Sequence, residues 1–390
     1  MKTIKDAQLK GKKVLIRVDF NVPRDKEGNI TDDSRIQAAL PTLRYILDAG
    51  ASLIVMSHLG RPKGKVNPEF TLKNVAVRLG ELLHLPVLFA PDCVGEETQK
   101  MAQSLQPGQV MLLENLRFHP EEEANDPAFA KSLASLGDVY VNDAFGTAHR
   151  AHASTAGVAD YLPAFAGFLL AEEIEYLEKV TQNPESPRMA ILGGAKVADK
   201  LGLIRNLLEK MDIILIGGGM ANTFIHAQGY AVGKSLCEND LLDEAKQIMQ
   251  LAQEKKKQLF LPVDVVTTTE LSDDAPAHVK KLDEIPEDEL IADIGPKTVE
   301  LYEQEIAKAR SIVWNGPVGV FEKKPFMKGT EEIAKAVAAS SAFSLVGGGD
   351  SVSAIRKLHL ENQITHISTG GGATLEFLEG KLLPGVKACQ

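Results

Sequence analysis

The chain has 390 residues, enough for two or three domains at about 150 residues each. Hydrophobic residues make up 44% and charged residues 25%, which excludes extensive disorder. A net charge of −10, from 43 basic and 53 acidic side chains, argues against a nucleic-acid partner, though not against small anions held by local clusters.

The first residues are charged and lack a signal-peptide core. KVLIRV (13–18) reads as a strand, and RVDFNVP (17–23) carries it into a loop where Asp19 and Asn21 can hydrogen-bond a ligand. Arg35 opens a helical pattern over 34–49, and SLIVM (52–56) leads to His58 and Arg61 in SHLGRP. A second helical pattern covers 71–83. VMLL (110–113) leads to Arg117 in ENLRF, and DVYV (138–141) leads to His149, Arg150 and His152 in AFGTAHRAHAS. Strands alternating with helices imply a parallel sheet, and continuously apolar strands imply that both faces are covered. Arginines at successive strand ends then converge on one sheet edge, where their forks bind phosphate or carboxylate. The implied ligand is small and strongly anionic. His149-x-x-His152 lacks the further ligands of a metal site, so packing or anion binding is the better reading.

LLAEEIEYLEKVTQNPESPR (169–188) starts as a charged amphipathic helix and is stopped by Asn183-Pro184 and Ser186-Pro187. The inter-domain boundary is expected there. The charge also changes: residues 1–170 carry a net −1 and residues 171–390 a net −9. The second half repeats the alternation. Its strands are MAIL (189–192), DIILI (212–216), QLFLPV (258–263), SIVW (311–314) and FSLV (343–346). Helical patterns cover 240–254, 297–309 and 328–339. Two doubly wound α/β domains are the expected fold. No apolar run reaches the ~18–20 residues that span a bilayer, so no membrane partner is expected. Cys93, Cys237 and Cys389 are scattered and odd in number, suiting neither disulfides nor zinc; a cytoplasmic location follows as the expectation.

Four glycine clusters follow apolar strands: Gly193-Gly194, Gly217–Gly219, Gly347–Gly349 and Gly370–Gly372. Glycine at a strand's carboxyl end lets backbone N–H groups approach phosphate. No cluster completes the dinucleotide fingerprint, which disfavours an NAD-dependent dehydrogenase. Gly229–Ser235 has three spacer residues where a phosphate-binding P-loop needs four, so Lys234 reads as structural or surface. Lys196 and Lys200 in GGAKVADK are spaced to share one helix face near its start, where a polyphosphate would relieve their repulsion. Asp350 follows Gly349 and precedes a helical pattern. It suits an N-cap or a Mg²⁺ ligand equally. No nucleophile, base and orienter set stands out, which fits phosphoryl transfer to an already anionic acceptor.

RVDFNVP, SHLGRP, ENLRF, NDAFGTAHRAHAS, GGAKVADK, GGGMANTF, WNGPVGVFE, GGGDS and STGGGATLEFLEGKLLPGV occur in this order. Together they make the sequence resemble the phosphoglycerate kinase family over nearly its whole length. The resemblance implies two Rossmann-like doubly wound domains facing a cleft and joined by a hinge helix. The implied division is 1–168 for 3-phosphoglycerate, 169–187 as inter-domain helix and linker, 188–373 for nucleotide, and 374–390 returning to the first domain. It implies a phosphotransferase with a carboxyl acceptor, a monomer that uses ADP or ATP with Mg²⁺. Asp19, Phe20, Asn21, Arg35, His58, Leu59, Gly60, Arg61, Arg117 and Arg150 would hold the glycerate. Lys196, Lys200, Gly217, Gly218, Asn315, Glu322, Gly348, Gly349, Asp350 and Ser351 would line the nucleotide site, with Asp350 on the metal. Arg35, Lys196, Lys200 and Gly371 would act on the transferring group, with hinge closure. Ser351 stands where the family often has threonine, and Ile291 and Ala292 fall in a variable stretch, so the purine pocket stays unassigned.

Overall fold

In the computed structural model, which describes Met1–Gln390, the chain divides into two units: Met1–Glu175 with Leu382–Gln390, and Tyr176–Lys381. The first unit is built on six strands: β1 (Lys13–Arg17), β2 (Ser52–Met56), β3 (Val87–Phe89), β4 (Val110–Leu112), β5 (Val139–Asn142) and β6 (Ala164–Ala166). Their order is β3-β4-β2-β1-β5-β6, with every pair parallel. Strand alternation sorts their side chains between two cores. Val14 and Ile16 pack on one face with Leu53 and Val55, while Leu15 packs on the other with Ile54 and Tyr140. The helices α1 (Ser34–Asp48) and α2 (Lys73–Leu83) cover the first face. The helices α3 (Glu96–Gln103) and α5 (Pro127–Ala134) cover the second, with the one-turn α4 (Pro120–Glu123) between them in sequence. In α1 the apolar positions Ile36, Leu40, Leu43 and Ile46 recur at helical spacing and are all buried. Truncating Leu43 to alanine would cost about 2–5 kcal/mol.

The second unit has a sheet of β7 (Arg188–Leu192), β8 (Ile213–Ile216), β9 (Gln258–Phe260), β13 (Ser311–Asn315), β14 (Phe343–Gly347) and β15 (His366–Ile367). The order is β15-β14-β13-β7-β8-β9, again parallel throughout. A separate antiparallel sheet, β11-β10-β12, is formed by β10 (Asp264–Thr268), β11 (His278–Lys281) and β12 (Leu290–Ile294). It was not expected. The strand pattern over 258–263 stops at Phe260, and after Pro262, which has no N–H for a ladder, the chain enters the second sheet. The helices are α7 (Leu201–Lys210), α8 (Gly218–Ala227), α9 (Leu242–Glu254), α10 (Pro296–Lys308), α11 (Lys328–Ala339), α12 (Gly349–Lys357) and α13 (Gly372–Leu378).

The division between the units falls inside one continuous helix, α6 (Phe168–Thr181). Its start is fixed by Asp143 of the first unit, whose Oδ1 accepts from Leu169 N at 2.9 Å and Leu170 N at 3.3 Å. Farther along, Tyr176 stacks on His366 of the second unit with ring centroids 4.3 Å apart. The return to the first unit comes at Leu382, later than the expected 374. α13 belongs to the second unit because Asn206, on α7, donates to the Leu378 carbonyl at 2.5 Å. The final helix α14 (Pro384–Lys387) docks on the first unit, where Gly385 N donates to the Ala148 carbonyl at 2.8 Å. No helix is long and apolar enough to cross a membrane.

Candidate active site

The carboxyl ends of β4, β2, β1 and β5 lie side by side because these strands are adjacent and parallel. Open α/β sheets bind ligands there. β1 delivers Asp19 and Asn21, β2 delivers His58, Gly60 and Arg61, β4 delivers Arg117, and β5 delivers His149, Arg150 and His152. Arg35, in the first turn of α1, donates from Nη1 to Asp19 Oδ1 at 3.1 Å and to the Asn21 carbonyl at 3.0 Å. Asn21 Oδ1 accepts from Gly60 N at 2.9 Å, which ties the β1 and β2 loops together. Arg117 Nη1 donates to the Gly60 carbonyl at 3.4 Å, and its Nε lies 3.2 Å from Glu123. Arg35, Arg61 and Arg150 reach solvent, whereas His58 and His152 are buried.

Cations crowd this edge. Burial, then Arg17 and Arg117, push His58 well below the usual histidine range. Burial and the same arginines push His152 down to about 4. Burial and Arg17 lower even Arg117. Each positive group makes the next costlier, and a bound anion would relieve the whole set.

Phe20 and Leu59 sit differently from the rest of the expected contacts. Both side chains are wholly buried in the core. Phe20 N donates to Ser57 Oγ at 2.9 Å, and Leu59 is clasped through its backbone by Asn115, at 3.2 and 2.7 Å. They orient the loops that carry Asp19, Asn21 and His58 and offer no side chain to a ligand.

In the second unit the loops after β8, β7 and β13 pack on one another through glycine. A Cβ on Gly193 would lie 2.0 Å from the Pro317 carbonyl oxygen, and one on Gly218 would lie 2.7 Å from that of Gly194. Gly217 abuts Val318, and Gly348 abuts Asn315. At Gly349 and Gly371 a Cβ would meet nothing within 4 Å. These two glycines border open space. Ser351 is buried, and its Oγ accepts from Gly316 N at 2.7 Å, so it braces a loop from behind.

These loops rim a cavity of about 460 Å³. Of the expected nucleotide contacts, Gly218, Glu322 and Asp350 line it, beside Leu236, Ile291 and Val318. A small volume with apolar walls and a few polar groups suits a flat organic ring. Lys234, read from sequence as structural or surface, is exposed at the wall. Ile291 and Ala292 of this wall fall in the stretch left unassigned from the sequence; Leu236 and Val318 were missed because leucine and valine carry no chemical signature. A larger cavity, about 910 Å³, runs beside β9 and contains none of the expected residues.

Lys196 and Lys200 do not share a helix face, contrary to the expectation. α7 begins only at Leu201; Lys196 lies in a loop, and Lys200 closes a 3₁₀ turn, Ala198–Lys200. Glu238 holds this segment out of the helix by accepting from Val197 N at 2.5 Å. Lys200 is partly buried, donates to Asn315 Oδ1, and is pushed down to about 8 by burial, with Asp199 and Glu379 opposing. Asp350, in the first turn of α12, is exposed at the cavity rim and makes no ion pair within the protein. Such a free carboxylate fits Mg²⁺, which takes one or two carboxylates together with phosphate oxygens. α13, which follows Gly371, is a seven-residue helix.

The phosphoglycerate kinase family model matches residues 4–381. A phosphoglycerate kinase of Moorella thermoacetica is 58% identical over 386 residues, covering 99% of this chain and 98% of the relative. One from Dictyoglomus turgidum is 56% identical over 388 residues, with coverage of 99% and 98%. The solved phosphoglycerate kinase of Coxiella burnetii superposes with a TM-score of 0.93 at 47% identity, covering 99% of this chain and 98% of that one. That of Pyrococcus horikoshii gives 0.82 at 38% identity, with coverage of 100% and 98%. With the fold, the strand-end arginines and the glycine-lined cavity all present, the chain belongs to the phosphoglycerate kinase family.

Proposed function

We propose that the chain transfers the acyl phosphate of 1,3-bisphosphoglycerate in line to MgADP, giving 3-phosphoglycerate and MgATP, and runs the reverse. The observation that carries this reading is the crowd of cations at four adjacent strand ends, suited to a ligand with two anionic ends. Arg61, Arg117, Arg150 and His58 hold the glycerate, with Asn21 and Gly60 beside it. Asp19 aims Arg35 through their 3.1 Å ion pair.

The cavity of the second unit takes the nucleoside, and Glu322 accepts from the ribose hydroxyls. Gly217, Gly218, Asn315 and Gly348–Ser351 lie along the phosphates. Asp350 holds Mg²⁺, which when bound neutralises phosphate charge and orients the chain of phosphates. Lys196, Lys200 and Arg35 stabilise the charge that spreads over the equatorial oxygens of the transferring group, beside Gly371. The acceptor is already anionic, so no general base is needed. The two ligands are held by different units, so turnover requires a closing motion, which also excludes water. The protein works as a cytoplasmic monomer in this reading.

The test is a coupled assay with ATP and 3-phosphoglycerate that follows 1,3-bisphosphoglycerate by its reduction with NADH. Turnover that needs Mg²⁺ and collapses in Arg35→Ala supports the reading. A folded wild type without turnover would sink it.

A further inference from the structure

Arg17, the last residue of β1, is 0% exposed although it is a permanent cation. Its guanidinium is engaged on three sides. Nε donates to Ser154 Oγ at 2.8 Å, Nη1 donates to the Val18 carbonyl, and Nη2 lies 3.0 Å from His58 Nδ1. Behind it stands Glu122 of α4, also 0% exposed. The Glu122 carboxylate accepts from Ser154 Oγ at 2.5 Å and from Ser154 N at 2.8 Å. A single hydroxyl thus donates to the buried carboxylate and accepts from the buried guanidinium. The two charges are paired through Ser154.

This chain of bonds leaves His58 one choice. A guanidinium has donors and no acceptor. Nδ1 of His58 must therefore be the unprotonated nitrogen, and the proton resides on Nε2. Burial first, and then the nearby positive charge of Arg17, Arg117, Arg35 and His152, oppose a proton on the ring, so it stays neutral. Nε2 has no hydrogen-bond partner within the protein, yet it is not sealed from solvent.

We propose that Arg17, braced by Ser154 and Glu122, is a positioning residue that locks His58 as the Nε2–H tautomer, a neutral donor aimed at an oxygen of the bound glycerate. This rests on the glycerate reading above. Arg17 itself touches no ligand; every side of its guanidinium faces protein. The arrangement makes His58 a directional hydrogen bond in a site otherwise held by full charges. It also removes His58 from the pH dependence that a free imidazole would impose between pH 5 and 8.

The experiment begins with the free wild-type protein. Nitrogen-15 spectra of histidine-labelled protein should show His58 with its proton on Nε2 and no titration from pH 5 to 8. A proton on Nδ1, or an imidazolium appearing near pH 6.5, would overturn the proposal. Because no turnover is involved, this arm is independent of the assay that tests the reaction. Ser154→Ala then cuts the link without removing a charge. It should leave His58 with mixed tautomers and raise the 3-phosphoglycerate KM and Kd about tenfold, while the ATP KM stays within twofold. The double variant Arg17→Gln with Glu122→Gln removes both charges at similar volume and should shift His58 and 3-phosphoglycerate affinity in the same direction. Restored tautomer exchange with unchanged 3-phosphoglycerate affinity would equally overturn it.

Discussion

At the strand ends of the first unit, the candidate contact groups are long side chains: His58 and Arg61 follow β2, Arg117 follows β4, Arg150 follows β5, and Arg35 opens α1. At the strand ends of the second unit, much of the surface is backbone. Its loops touch through Gly193 and Gly218, and its cavity wall is largely apolar. The difference has a physical consequence. A projecting guanidinium can be removed with little effect on the packing beneath it. A glycine pressed against a carbonyl cannot be enlarged without moving a loop. Function and stability should therefore separate in the first unit and coincide at the packed glycines of the second.

The sharpest break of that comparison is Arg35→Ala. Arg35 is half-exposed and bonded only to Asp19 and the Asn21 carbonyl. Its loss should lower kcat on the order of 10²- to 10³-fold while the melting temperature stays within a degree or two. Thermal denaturation run beside the assay decides it, and a kcat near wild type would refute the assignment.

Next comes a pair of alanines in the second unit. Gly193→Ala forces a Cβ against the Pro317 oxygen and should destabilise the unit by about 1–3 kcal/mol or more. Gly349→Ala meets open space and should shift stability by less than about 0.5 kcal/mol, while raising the KM for nucleotide. Urea titrations of both proteins would show whether the two kinds of glycine differ.

A smaller effect lies in the pH profile. Burial lowers Lys200 from 10.5 to about 8. Its charge is therefore lost as pH rises through about 8 in the free enzyme, and kcat/KM should fall on that limb. Lys200→Arg keeps its charge across this range and should remove the limb, even at reduced kcat. An identical limb in the variant would assign it elsewhere.

The smallest effect concerns the start of α6. Burial raises Asp143 from 3.8 to about 6. Between those values the folded state binds more protons than the unfolded state. Stability from this group is therefore greatest below 3.8 and declines as pH rises to about 6. Asp143→Asn retains an oxygen for Leu169 N and Leu170 N but cannot ionise. Its melting temperature should vary less over that pH window than that of the wild type.

Much of this was legible in the chain itself. Strands such as Ser52–Met56 and Ser311–Asn315 are buried throughout and apolar along their central run, Leu53–Met56 and Ile312–Trp314. His58, Arg61, Arg117, Arg150 and the glycine pairs at 193 and 217 announce themselves because they follow such strands. Harder to read were elements whose burial is partial. β11, with the composition HVKK, is mostly exposed and owes its existence to pairing with β10. Lys196 and Lys200 carry helical spacing, but Glu238, 41 residues beyond Val197, holds the segment as a loop. Phe20 and Leu59 sit within motifs expected to face a ligand and yet turn inward.

Sequence alone determined the parallel α/β alternation and the residue types at the strand ends, because periodicity and residue chemistry are local properties. Tertiary structure decided which of those residues reach the open edge of the sheet and which are buried beneath it. Arg17 is another strand-end arginine until the fold brings it to Ser154, 137 residues away, and to His58, 41 residues away. Burial then demands that every donor of the guanidinium find an acceptor, and that demand is set by distant partners.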